Sequence, residues 1–393
     1  MGMSVDRAPR RPLLSGEERV LAILLLAVPA TIISGRVGLP PLLQFALSVL
    51  AVIPLAGFIG AATEELADRI GAKGGGLLNA TFGNAPDLLI GIFGVQKGLI
   101  PLVKATLIGA LISNSALIMG ICLIAAGLRY GRPRFRRTEA GHHSVLMFLT
   151  LAAVLFPSAA SIAACGGAGC TDPQLEGTVF KVSLAIGVAL LLGYLAYILF
   201  GVFGVETPGR RSEAETSRTR KVARAPRWPL WLGLAVLIAS TVFLVPVTDI
   251  LTGTVGSVTT ALGWSPVFVG IIVVANAGNF AEAYAAIRLA IQRPGRPEGG
   301  EESGLDLALG IASASSIQIA AFIAPLIVLY SIFGHHMTLV FSSVEVAILG
   351  LLVLLFSYIA HDGESNWLEG FQLLVLYAMA AIVFYEFPAS LFG

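Results

Sequence analysis

The sequence predicts an all-α polytopic membrane protein, and three observations carry that fold class. Mean hydropathy is +0.85, with 56% hydrophobic and 12% charged residues, about half the charged share of a soluble domain. Apolar runs long enough to cross a bilayer, such as 228–247 and 345–360, recur along the 393 residues. None of them alternates with the period of two that a membrane β-barrel needs. Helices are then the remaining way to satisfy backbone groups in lipid.

Gly, Pro and charged positions divide the chain into eleven apolar segments, near 19–34, 41–70, 75–96, 99–127, 142–163, 176–203, 229–262, 266–292, 305–333, 337–360 and 367–388. The first follows a polar tail with Arg7, Arg10 and Arg11 and reads as a retained anchor. The second and seventh exceed one straight crossing, so each is expected to bend or to leave the bilayer. With the N-terminus in the cytoplasm, 21 of the 25 Lys and Arg fall in the N-terminal tail or in loops that follow an even-numbered segment. An incorrect count would scramble that bias, so the positive-inside rule supports eleven helices with the C-terminus outside a cell membrane.

The long polar stretch after residue 205 sets the domain organisation. Residues 1–36 form a cytoplasmic tail and leading helix, 37–205 a first five-helix repeat, 206–228 a basic cytoplasmic linker and 229–393 a second five-helix repeat. Five is odd, so the second repeat crosses the membrane upside down relative to the first, the arithmetic of an inverted-topology transporter.

The two halves carry matching polar motifs. Gly83-Asn84-Ala85-Pro86-Asp87 and Gly278-Asn279-Phe280-Ala281-Glu282 both read Gly-Asn-x-x-acid. Three positions between Asn and acid place the pair on one helix face. Both acids fall near mid-membrane, where a carboxylate by default marks an ion or proton pathway. No Lys or Arg at that depth offers an ion pair. Hard cations take oxygen ligands, which Asp87, Glu282, Asn84 and Asn279 supply, with backbone carbonyls freed near Pro86 and the glycines. Two carboxylates match the charge of one divalent ion, or take protons instead. That exclusion is a sufficient physical basis for exchanging a cation, Ca²⁺ foremost, against H⁺, with no further cofactor.

The next helix of each half adds Ser113, Asn114 and Ser115, and then Ser313, Ser315, Ser316 and Gln318. Asn114 and Gln318 occupy similar places in the two halves and are expected at the site. Serines in membrane helices often bond back to their own helix, and for Ser113, Ser315 and Ser316 that reading stands beside the site. Glu64 and Glu65 lie near the cytoplasmic end of the second segment, as solvated residues or as a gate or proton relay. Glu345, at the start of the tenth, is expected to face a partner rather than the ion. The five histidines lie at predicted helix ends, where interface roles outweigh metal ligation. Cys165 and Cys170 flank a short Gly-rich stretch that either bridges in an oxidising loop or holds inert thiols.

At these residues the chain resembles the cation/proton exchanger family of the cation/Ca²⁺ exchanger superfamily. Residues 61–89 look like its first repeat, and 278–282, 315–325 and 362–377 like its second repeat and C-terminal segment. The resemblance implies eleven helices in two inverted repeats around a mid-membrane Ca²⁺ site, with Asp87 and Glu282 as the two acids. Departures are Asp87 where the family usually has Glu, Ala283 for its His, Ala275 for its Pro and Ala110 for its Ser. Transport of Na⁺ or another cation, Na⁺-coupled exchange, and a cation channel therefore remain alternatives at this point. The expected partners are Ca²⁺, protons and the lipid bilayer. Nothing in a net charge of +1 points to nucleic acid, and a homo-oligomer is compatible with this reading.

Overall fold

The computed structural model describes residues 16–165, 172–203, 228–292 and 303–387. Among them the chain is largely helical, with a single bridge between Arg134 and Glu364 as its one extended pairing. The helices are α1 (Gly16–Leu24), α2 (Ala27–Val37), α3 (Pro41–Phe82), α4 (Ala85–Gln96), α5 (Ile100–Ile112), α6 (Met119–Tyr130), α7 (Arg137–Cys165) and α8 (Pro173–Phe203), then α9 (Leu230–Leu262), α10 (Pro266–Phe268), α11 (Ala275–Gly278), α12 (Phe280–Gln292), α13 (Gly304–Gln318), α14 (Ala324–Tyr330), α15 (Ser343–Asp362) and α16 (Trp367–Glu386). Three π-helical stretches, Ser113–Ile118, Val269–Val274 and Ile319–Ile323, join neighbouring α-helices into longer rods. Eight long apolar spans, one broken span and two shorter apolar helices match the eleven predicted segments.

Two boundaries differ from the sequence reading. The second and third segments were expected to part at 71–74, yet one helix runs through to Phe82 and breaks at Gly83–Asn84. A glycine in a helix interior costs only about 1 kcal/mol, so glycines alone do not end a helix. Gly71 and Gly74 to Gly76 therefore stay helical.

The tenth segment was expected to start at 337, but α15 starts at Ser343. Residues 337–341 run outside any helix, their backbone held from the side: Leu339 donates its N–H to Ser183 Oγ at 3.1 Å and Phe341 to Ser158 Oγ at 2.9 Å. Ser342 and Glu345 then close a capping box. Glu345 is 1% exposed and stands in electrostatic reach of Lys104, a partner that the sequence reading did not name.

The described loops are joined in two places. In one, Phe135 N–H donates to Gly363 O at 2.9 Å and Ser365 N–H to Pro133 O at 3.0 Å, bringing together two loops that the helix count assigns to one side. In the other, His336 stacks on Phe180 with ring centroids 4.1 Å apart. Along α9, Trp231, Leu234, Ile238, Val242 and Val245 are exposed at spacings of three and four, a stripe suited to lipid. Cys165 is disulfide-bonded, and Cys170 lies outside the described residues.

The two halves meet along a glycine seam. A Cβ placed on Gly109 of α5 would come within 2.5 Å of Ile271 Cα, and one on Gly270 within 2.7 Å of Ala105 Cβ. Positions 105 and 109 lie one turn apart on α5, so the stretch 269–275 rests on that helix almost backbone to backbone. Tight helix contacts of this kind need small residues in membranes, where packing replaces the hydrophobic drive.

Candidate functional site

Both repeated motifs fall on helix breaks. Asn84 lies between α3 and α4 with φ −105° and ψ 29°. Asn279 lies between α11 and α12 with φ −88° and ψ 8°, and the helices around it bend by 61°. Each acid then occupies the first turn of the second half-helix, Asp87 in α4 and Glu282 in α12. Backbone N–H groups there lack intrahelical partners and carry the positive end of the helix dipole. The motif thus builds the same device twice, in opposite senses.

The two devices touch. A Cβ placed on Gly278 would lie 3.2 Å from Asp87 Oδ1, so glycine is what lets the second repeat approach the first repeat's carboxylate. Asp87 is 3% exposed, Glu282 is half-buried, and the two charges lie in electrostatic reach of one another.

Around them runs a chain of side-chain hydrogen bonds. Asn84 Nδ2 donates to Gln318 Oε1 at 2.6 Å, Ser315 Oγ to Asn84 Oδ1 at 3.4 Å, and Asn114 Nδ2 to Ser315 Oγ at 3.0 Å. This brings Asn84, Asn114, Ser315 and Gln318 together from both repeats. Both oxygens of Asp87, both polar atoms of Asn279, Asn114 Oδ1 and Ser115 Oγ remain buried without a hydrogen-bond partner. A buried polar group without a partner costs on the order of 1–3 kcal/mol and a bare buried charge more. The unpartnered carboxylate and amide oxygens of Asp87, Asn114 and Asn279 are of the type that a hard cation takes as ligands.

Other residues singled out in the sequence lie apart from this chain. Ser313 and Ser316 donate back to Leu309 O and Ala312 O, at 2.7 and 3.0 Å, within their own helix. Ser113 donates instead to Asn276 Oδ1 at 2.6 Å. Glu64 is exposed as expected, but Glu65 is only 6% exposed. It accepts the N–H of Trp228 at 3.2 Å while Arg69 donates to the carbonyl of the same residue. The expectation that both glutamates sit near solvent fails for Glu65, because buried Trp228 packs back against α3. Asn276 and Tyr377, joined at 2.7 Å, were not among the expected site residues. The one signal in the sequence was an amide within an apolar run.

Comparison with known proteins accords with this architecture. The profile of a family described as sodium/calcium exchanger protein matches residues 40–203 and 232–386. The Ca(2+)/H(+) antiporter ChaA of Bacillus subtilis is 35% identical over 93% of this chain and 99% of its own length. The Ca(2+)/H(+) antiporter of Synechocystis is 33% identical over 95% and 99%. Among solved structures, native YfkE superposes with a TM-score of 0.76 at 32% identity, covering 93% of this chain and all of the other.

Proposed function

The chain belongs to the sodium/calcium exchanger protein family, and from that premise we propose that it is a secondary active antiporter exchanging Ca²⁺ for H⁺ by alternating access. The observation that carries the reading is the meeting of Asp87 with Gly278, which sets two acid-bearing half-helices from opposite repeats against each other. Ca²⁺ takes about six to eight oxygens. Asp87 and Glu282 offer four and the Asn279 side chain a fifth, with the remainder left to backbone carbonyls and water. Two carboxylates balance one divalent ion, and two protons balance the same charges when the ion leaves. Cation and proton then exclude one another at a single place, which couples their opposite movements without any covalent chemistry.

In this reading residues 37–205 and 229–393 are the two inverted repeats and 206–228 the cytoplasmic linker. The N-terminus lies in the cytoplasm and the C-terminus outside a plasma membrane. Asn84, Asn114, Ser315 and Gln318 tie the break before Asp87 to the second repeat, and Asn279 joins the carboxylates as a ligand. Half-helix termini aimed at mid-membrane suit alternating access rather than a continuous pore.

The test is transport by purified protein in liposomes against a panel of Ca²⁺, Mn²⁺, K⁺ and Na⁺, with internal pH recorded. Ca²⁺ uptake should acidify the side from which Ca²⁺ is drawn, with no requirement for Na⁺. A strict need for Na⁺ would assign the coupling ion differently, in keeping with Ala283 at the position where the cation/proton exchangers carry His. Unitary currents would overturn the antiporter reading outright.

A further inference from the structure

One polar cluster remains outside the ligand set. Asn276 Nδ2 donates to Tyr377 Oη and to Ile272 O, both at 2.7 Å, while Asn276 Oδ1 accepts from Ser113 Oγ at 2.6 Å. Three segments are tied by one amide: the π-helical stretch after α5, the segment that ends at Gly278, and α16. Ile272 belongs to the π-helical stretch Val269–Val274, and the amide meets one of its carbonyls. Three of the four hydrogen-bonding positions of Asn276 are therefore used.

The location of this cluster gives it its meaning. Ser113 continues the face of α5 that carries Ala105 and Gly109, so its bond to Asn276 is the polar end of the glycine seam. Two residues past Asn276 stands Gly278, whose Cβ position is 3.2 Å from Asp87 Oδ1. The next residue along the chain from Ser113 is Asn114, which bonds the Ser315–Asn84 pair beside Asp87. The dipeptide Ser113-Asn114 thus reaches both acid-bearing segments, the second repeat's directly through Asn276 and the first repeat's through Ser315 to Asn84.

We propose that Asn276, held by Tyr377 and Ser113, is a positioning residue that fixes how far Asn279 and Glu282 stand from Asp87, and so sets the fit of the cation. This inference rests on the exchange reading above. It assigns a role to residues that do not themselves touch the ion. Tyr377→Phe removes only a hydroxyl, and Asn276→Ala removes all three bonds.

The experiment measures half-saturating cation concentration and maximal exchange rate for Ca²⁺, Sr²⁺ and Mn²⁺ in liposomes. Loss of these bonds should raise the Ca²⁺ half-saturation about three- to tenfold, more for Asn276→Ala, and shift the preference among ions of different size. Maximal rate should fall less than affinity. A change in rate alone, with the order and ratio of the three ions as in the parent, overturns the proposal. If the parent itself carries a different cation, the exchange reading fails, and the ratios for the transported cation decide this inference instead. Hydrogen exchange of residues 275–290 in detergent gives a readout independent of any cation. Faster exchange in Asn276→Ala is expected, and unchanged protection would sink the positioning role.

Discussion

Asn84 and Gln318, 234 positions apart, share a hydrogen bond of 2.6 Å from amide to amide. The bond crosses from one repeat to the other beside Asp87 and leaves Asn84 Oδ1 with only a 3.4 Å contact from Ser315. Gln318→Leu removes the acceptor at nearly constant size. The freed Nδ2 loses about 1–3 kcal/mol of compensation, so Ca²⁺ affinity should drop about tenfold. Isothermal titration of purified protein would show it, and unchanged affinity would remove Gln318 from the site.

Charge removal should be far more severe. Asp87→Asn or Glu282→Gln leaves one carboxylate facing a divalent ion in a water-poor setting. Taking one partner from a buried charge pairing costs about 3–5 kcal/mol, so exchange should fall by at least about a hundredfold. Detergent melting should hold or rise for Asp87→Asn, because a buried, unpartnered charge is replaced by a neutral amide. A Glu282→Gln protein exchanging at the parent rate would defeat the two-carboxylate mechanism.

Gly278→Ala tests the approach of the repeats without replacing a ligand. The added methyl would meet Asp87 Oδ1 at 3.2 Å, and overpacking of this order costs about 1–3 kcal/mol. The expected result is a Ca²⁺ affinity about tenfold weaker with the protein still folded by size-exclusion profile.

Acid should weaken binding, with a definite sign. A ligand set of carboxylates must be deprotonated to hold a metal, so lowering pH transfers the same oxygens from cation to proton. Half-saturating Ca²⁺ should climb between about tenfold and a hundredfold per pH unit once protons compete, according to whether one or two are displaced. An affinity flat across about pH 5 to 8 would mean that cation and proton use different groups.

The glutamates of α3 should separate. Glu64 is exposed and Glu64→Gln should be near neutral in stability and transport. Glu65→Gln weakens the bond to Trp228 N–H and should lower thermal stability by about 1 kcal/mol while transport survives. Abolished cation binding in either variant would show that the site reaches further along α3 than Asp87 and Glu282.

Much of this fold was legible because lipid imposes a simple code. Apolar length and the placement of Lys and Arg located eleven segments, and the doubled Gly-Asn-x-x-acid motif located both breaks' acids. The break itself was misplaced because Gly71 and Gly74 to Gly76 carry the stronger local signal, although glycines alone do not end a helix. The apolar run at 337–341 read as helix because its backbone partners, Ser158 and Ser183, are distant in sequence. Asn276 illustrates the same limit at the site. Its side-chain partners lie 163 and 101 positions away, and no local pattern encodes such a pairing.

The seam between α5 and the stretch 269–275 also constrains mechanics. At Gly109 the facing atoms are the Cα and carbonyl of Ile271, which have no rotamer with which to yield. Elements interlocked in this manner resist sliding along their length, since shear motions rely on side chains that can readjust. Any rearrangement that turns the ion from one side of the bilayer to the other must therefore carry α5 and this stretch as one body, with the hinge elsewhere.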